Sequence, residues 1–438
     1  MNDGIVVIGG GPAGVEAAVE AASLGCPVHL ISDAPVGGRA GWHSLLPSKV
    51  WLDAAERAQR GTPVSTEKIV ARVAAVKKSW NDQLLAALDT LNVDVVQGVG
   101  SFSGPHSVVA QDAEGAEIAS FAGLPVIVAT GSVPVFPGPL KPDGRQVLAP
   151  RFLSKLEALP PSMIVVGAGA TGCESAYLFN ALGVEVTWIV DQYGILPQIY
   201  APMGRALGAA LKAQGVNLVA GQMVSELVRD DEGVTAVLMD GVRCQAGMAF
   251  VAVGRRPDWE RLNLDAAGIA PVDGQPLALN SFGQTANPFV YLVGDVDGRA
   301  MTANKAAAQA RVAARHACGL DVTAFDLNLI PQPVFTEPQV AQVGQMTGPG
   351  VAVQRVSYSE SLKGHILSES GFLDLAYNVE SGQVSGAAAV GPHAADAVAS
   401  IVPALRLGAS LAAIADLYGA YPTLSELPFI AARKALRS

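Results

Sequence analysis

Two stretches of the chain, IVVIGGGPAGVEAAVEAASLGCPVHLISD starting at Ile5 and MIVVGAGATGCESAYLFNALGVEVTWIVD starting at Met163, follow one plan. Each runs from an apolar strand into G-x-G-x-x-G, then a helix ended by glycine (Gly25, Gly183), a second apolar run and an aspartate. Gly9, Gly11, Gly14 and Asp33 recur at Gly167, Gly169, Gly172 and Asp191, every one 158 positions further on. The first glycine permits a tight turn, the second lets backbone approach a pyrophosphate, and the third lets helix and strand pack closely. Pro12 suits a first helical turn, where its missing N–H would be unpaired anyway, and Ala13 and Thr171 complete the two turns. The helix start then faces phosphate with its positive end, and the aspartate closes on ribose hydroxyls. A single copy of this pattern is weak; two copies in full strand–turn–helix–strand context specify two Rossmann-like dinucleotide-binding folds.

Length and composition agree with an α/β protein of about three domains. The 438 residues are 50% hydrophobic, and the 47 Gly and 28 Pro are spread through the chain rather than gathered in a linker. A formal net charge of −10 offers no basic surface for nucleic acid. The apolar segment from Val384 to Tyr418 is broken by Pro, His, Asp and Arg before it could span a bilayer. Met1–Gly4 leads directly into a core-like strand, which sets the expectation of a cytoplasmic protein. Cysteines stand only at 26, 173, 244 and 318, with no C-x-x-C spacing and, for Cys26, no partner expected nearby. The six histidines make no metal-ligand cluster with them, so no metal is expected.

Further motifs extend the pattern along the chain. VIVATGS at 126–132 contains Thr130 and Gly131, FVAVGRRPD at 250–258 contains Gly254, and VYLVGDV at 290–296 contains Gly294 and Asp295. AMTANKAAAQAR follows at 300–311, with a helix expected to start near Ala303, and PVFTEPQVAQVG occupies 333–344. Together with the two dinucleotide motifs, these resemble the pyridine nucleotide–disulfide oxidoreductase family nearly end to end. The piece Thr302-Ala303-Asn304-Lys305-Ala306 is most similar to the lipoamide dehydrogenase branch, with Asn304 where that branch has His. The resemblance implies an FAD domain at 1–145 and 275–329, a NAD(P) domain at 146–274, and an α+β dimerisation domain at 330–438. Two Ala/Leu-rich amphipathic helices are expected among the short strands of that last region. Asp295 would hold the FAD ribityl chain, the helix at Ala303 would point its positive end at the flavin ring, and Lys49 with Glu174 would form the ion pair beside flavin N5.

The departures from the family are as informative. Its disulfide segment reads G-G-T-C-x4-C-x-P-S-K, whereas this chain has VGGRAGWHSLLPSK, with Ala40 and Leu45 in the two cysteine places. Neither residue can carry electrons or form a mixed disulfide. The family's closing H-P-T-x-S-E is AYPTLSE here, so Tyr421 stands for the catalytic His while Glu426 remains. A phenol is a poor base at neutral pH and a serviceable hydrogen-bond donor. Ala170 occupies a place where the family often has a tyrosine gate, which suggests an open nicotinamide pocket.

These residues lead to an FAD-dependent NAD(P)H oxidoreductase acting on a quinone-like or other small acceptor, not a working dihydrolipoamide or glutathione reductase. The acceptor pocket would be lined by Ala40, Trp42, His43 and Leu45, with Tyr421 arriving across a homodimer. A soluble transhydrogenase and an electron-transfer flavoprotein within a complex remain open alternatives. Val190 stands where the family's coenzyme-discriminating acid sits, so Asp191 serves that role only if its strand has already ended. The following DQYGILPQIYAPMGR has no early arginine pair for a 2′-phosphate, which favours NADH.

Overall fold

A computed structural model describes residues 4–271, 275–368 and 370–437. Met1–Asp3, at the start of the segment expected to run into the first strand, and 272–274, beside the expected 274/275 boundary, lie outside the described residues.

The fully buried strand Ile5–Ile8 lies at the centre of a five-stranded parallel sheet. Val28–Ser32 and then Asp94–Gln97 pair on one side of it; Val126–Val128 and then Val290–Leu292 pair on the other. Continuous Val/Ile runs are the sequence mark of strands covered on both faces. Ser162–Val166 is the centre of a second parallel sheet with the same arrangement. Glu185–Val190 and Asn217–Ala220 lie on one side, Met248–Val251 and Val147–Leu148 on the other. Each sheet is accompanied by a three-stranded antiparallel one, Val99–Gly104 to Glu117–Ala122 in the first case and Val224–Asp230 to Arg243–Ala246 in the second. The internal repeat therefore extends well past its glycine motifs.

The edge strand Val290–Leu292 completes the first sheet only after the chain has traversed the second. Exit and return are laced together where Ser132–Pro134 pairs antiparallel with Arg255–Pro257. The chain then builds an antiparallel sheet in the order Gln332–Val334, Gln339–Gly344, Val384–Gly391, Phe372–Asn378, Val351–Ser357.

After this sheet the structure departs from the two helices expected. Four short helices follow instead, Ala394–Ala399, Val402–Leu407, Leu411–Ala415 and Leu427–Ala435. The breaks have local causes. Gly408 ends one helix in the left-handed region at φ +63°, and the Ser410 side chain caps the next by accepting from the Ala413 N–H. Among the described residues no helix is long and apolar enough to cross a membrane.

Candidate functional site: two dinucleotide cradles and a clamped ion pair

The two glycine motifs have matching surroundings. A Cβ on Gly9 would meet the Ala129 carbonyl oxygen at 2.5 Å, and one on Gly167 would meet that of Ala252 at 2.2 Å. Both glycines also hold positive φ, +111° and +116°. A Cβ on Gly14 would strike the Gly9 carbonyl oxygen at 1.8 Å, and one on Gly172 that of Gly167 at 2.1 Å. Gly11 and Gly169, by contrast, have nothing within 4 Å of the same position. Two glycines of each motif are thus consumed by packing, and the middle one leaves room where a pyrophosphate would lie. The helices Pro12–Ser23 and Ala170–Ala181 both begin without a side-chain cap, so their first N–H groups remain available to an anion.

Helix Ala303–Ala317 also begins without a side-chain cap, and the Thr302 Oγ1 before it is buried with no partner. Gly294 packs between Ala13 and Ala306, each 3.2 Å from its added Cβ, so the starts of the two flavin-side helices converge on it. Asp295 accepts from Ser132 Oγ at 2.5 Å, while Arg255 donates to Ser132 Oγ (2.7 Å) and to its carbonyl (2.8 Å). Beneath this, the wholly buried Lys305 bonds Asp297 at 2.6 Å and the Gly294 carbonyl at 3.1 Å; Gln309 holds the other Asp297 oxygen at 2.9 Å. An uncapped helix, an orphaned buried hydroxyl and an open glycine cradle are what an FAD molecule requires of its site, and these residues fit it.

Lys49, on helix Leu45–Gln59, donates to both oxygens of Glu174, on helix Ala170–Ala181, at 2.6 and 2.7 Å. A third region clamps the pair. The Phe335 N–H donates to Glu174 Oε1 at 3.0 Å, and the Phe335 ring lies 4.6 Å from the Lys49 ammonium. The Glu174 side chain is only 11% exposed, so its charge has little water to fall back on. Cys173 beside it is wholly buried, and burial followed by the Glu174 charge pushes its thiol well above the ordinary range. That makes a reactive thiolate at Cys173 unfavourable.

The stretch replacing the disulfide segment forms helix Gly38–His43 and the start of Leu45–Gln59. Trp42 donates its indole N–H to the Val36 carbonyl at 2.9 Å, while Leu45 and His43 are exposed. Arg39 stands at the family's threonine place. It ion-pairs with buried Asp258 and donates to the carbonyls of Thr130 (3.2 Å) and Ser132 (3.4 Å). Sequence reasoning passed over Arg39, Arg255, Ser132, Phe335 and the Lys305–Asp297 pair. Only Arg39 carried a visible signal, an arginine in a motif that otherwise has Thr.

Asp33 is paired with Arg261, from the segment after the second sheet. The strand bearing Asp191 ends at Val190, and the Asp191 carboxylate accepts from the Tyr193 N–H at 2.9 Å. Tyr421 is 69% exposed and, among the described residues, makes no side-chain hydrogen bond. Glu426 has a buried oxygen with no partner, and burial raises its carboxyl above the ordinary range despite the Arg433 charge. One expectation is corrected here. Cys26 does have a nearby thiol, because the ends of the Pro12–Ser23 and Ala303–Ala317 helices bring Cys318 to it, and burial and then Cys26 push the Cys318 thiol up to about 12.

Paired Rossmann-like sheets, one interrupted by the other and followed by an antiparallel sheet, define a two-dinucleotide flavoprotein oxidoreductase. The chain belongs to the pyridine nucleotide-disulphide oxidoreductase family. Residues 3–310 match that family and residues 330–431 match its dimerisation domain. It is 32% identical to a dihydrolipoyl dehydrogenase of Halobacterium salinarum, over 99% of this chain and 96% of the relative. It is 30% identical to an NAD(P)H dehydrogenase (quinone) of Mycobacterium tuberculosis, over 99% and 94%. The crystal structure of LpdA from Mycobacterium tuberculosis superposes with a TM-score of 0.92 at 29% identity, covering 99% of both chains. The HOCl-induced flavoprotein disulfide reductase RclA of Escherichia coli shares the fold, with a TM-score of 0.87 at 21% identity over 99% of this chain and 100% of that one. Members of the family use FAD and NAD(P)H, and the dimerisation domain supports a homodimer.

Proposed function

We propose that this oxidoreductase takes electrons from NAD(P)H, with NADH favoured, and passes them to a quinone-like small acceptor without any disulfide stage. The observation that carries the reading is the intact, clamped Lys49–Glu174 pair beside a segment whose cysteine places hold Ala40 and Leu45. FAD, when bound, supplies the two-electron carrier between nicotinamide and acceptor. In the proposed division, residues 1–145 with 275–329 hold FAD through Gly9, Gly11, Gly14, Asp33, Thr130, Gly131, Asp295 and the helix at Ala303. Residues 146–274 hold the nicotinamide coenzyme through Gly167, Gly169, Thr171, Gly172, Asp191 and Gly254, and residues 330–438 pair the subunits.

Each residue has a physical task. Lys49, kept in place by Glu174 and Phe335, provides a fixed positive charge where reduction accumulates negative charge. Asp191, past the end of its strand, puts a carboxylate where a 2′-phosphate would be repelled, which supports NADH. Ala40, Trp42, His43 and Leu45 line an acceptor pocket that Tyr421 of the partner subunit would complete as a hydrogen-bond donor, with Glu426 of the partner subunit behind it.

Anaerobic titration of the purified flavoprotein with NADH tests this. The expected result is full reduction at two electrons per FAD, no thiolate-to-flavin charge-transfer band, and rapid reoxidation by a naphthoquinone. Uptake of four electrons per FAD would mean that a cysteine pair participates, and the reading would fall. Transfer from NADPH to NAD+ with no quinone turnover would replace it with transhydrogenation.

A further inference from the structure

Helices Gly38–His43, Leu45–Gln59 and Thr66–Thr90 all pack on the 3-10 turn Pro150–Lys155. Trp51 anchors the turn by donating to the Leu153 carbonyl at 3.0 Å, and Lys77 Nζ donates to Ser154 Oγ at 2.7 Å. The convergence gathers His43, Lys77, Arg151 and Lys155 at one surface. Lys77, Arg151, Arg39 and Lys155 all act electrostatically on the His43 ring, and Lys155 acts on Lys77.

Most cations on the adjoining helices are paired with carboxylates. On the same helices Arg57 and Arg72 pair with Asp53, Arg60 with Glu56 and Lys78 with Asp82. Among the described ion pairs, Lys77, Arg151 and Lys155 have no carboxylate, in a chain with 39 acidic residues against 29 basic ones. Like charges brought together in a net-acidic protein repel one another, and a bound anion would relieve that repulsion. The cluster also adjoins the reaction side, since His43 lies between the two replaced cysteine places, six positions before Lys49.

We propose that Lys77, Arg151 and Lys155, with His43, seat an anionic group carried by the electron acceptor: a quinone bearing a carboxylate or sulfonate rather than a neutral one. This assignment of substrate class rests on the acceptor reading given above. Ala40 and His43 share the Gly38–His43 helix, so a molecule whose ring entered the proposed acceptor pocket would turn its charge toward the cations. Nothing covalent is asked of the cluster; it orients the acceptor and raises its local concentration.

The test compares naphthoquinone with naphthoquinone sulfonate as acceptors for the NADH-reduced holoenzyme. Arg151→Gln with Lys155→Gln removes two exposed charges outside the flavin and pocket residues, so folding should survive. The expected result is a loss of roughly fivefold in kcat/KM for the sulfonate, the effect of two half-screened charges, and less than about twofold for the neutral quinone. Arg151→Glu with Lys155→Glu should reverse the salt dependence, so that added salt speeds sulfonate turnover instead of slowing it. Equal changes for both quinones, or none, would overturn the proposal.

Calorimetric binding of redox-inert naphthalene sulfonate to the oxidised holoenzyme separates the two readings. Binding by the parent that is lost in the glutamine variant supports the anion seat even if neither quinone is reduced, in which case the acceptor reading alone falls. No binding by the parent overturns the seat, whichever quinone turns over.

Discussion

At the scale of single residues, Lys49 is the side chain on which most depends. Its ammonium is shared between two Glu174 oxygens and the face of Phe335, so the contact ties together three separate parts of the chain, its own included. Lys49→Ala leaves Glu174 buried with one backbone N–H for company. Flavin reduction by NADH should then slow roughly ten- to a hundredfold, as when a preorganised charge is removed from a reacting centre. Stability should fall by about 2–3 kcal/mol, below the loss expected for a fully enclosed pair because Lys49 is itself one-third exposed. Stopped-flow absorbance and denaturant melts measure the two effects separately; reduction at the parent rate would make the pair purely structural. His43 shows a second residue-scale effect. Partial desolvation of the ring, although the residue as a whole is exposed, and then Lys77, Arg151, Arg39 and Lys155 hold its imidazole below the ordinary value. Its neutral form is therefore favoured by folding, and that contribution is lost as pH falls through the lowered value.

At the scale of elements, the deciding contact is between the Gly294–Asp297 3-10 turn and helix Ala303–Ala317. The helix start can face a flavin only if the turn before it is held, and the buried Lys305–Asp297–Gln309 network holds it. Lys305→Met would leave the fully buried Asp297 carboxylate without its countercharge, held only by Gln309 and the Arg299 N–H. We expect a loss of about 3–5 kcal/mol and weaker FAD retention, seen as flavin released during gel filtration. Full FAD occupancy with an unshifted melting midpoint would assign the turn's rigidity to backbone packing instead.

At the scale of the whole molecule, the function proposed needs Tyr421 and the Lys49 region to meet at one pocket. In the homodimer proposed, Tyr421 of the partner subunit would supply that meeting. Light scattering should return twice the 44.9 kDa of the chain. Tyr421→Phe should leave flavin reduction by NADH unaltered while slowing reoxidation by quinone a few-fold, the loss of one hydrogen bond to the acceptor. A monomer with full quinone turnover would exclude Tyr421 from the site.

The parts legible in the sequence were those governed by local rules. Glycine spacing, strand composition and the aspartate after each second strand depend on residues a few positions apart, so both cradles and the absence of cysteine at positions 40 and 45 could be read directly. The Lys49–Glu174 pair was reached only through resemblance, because 125 positions separate its members. What tertiary structure alone decided is the set of long-range polar contacts. Arg39 reaches Asp258, Arg261 reaches Asp33, Phe335 closes on Glu174, and Cys318 comes to lie by Cys26. Each joins segments far apart in the chain that meet only in the assembled fold, in which the second sheet interrupts the first. A side chain's partner across such a crossing is fixed by packing geometry, which no short stretch of sequence contains.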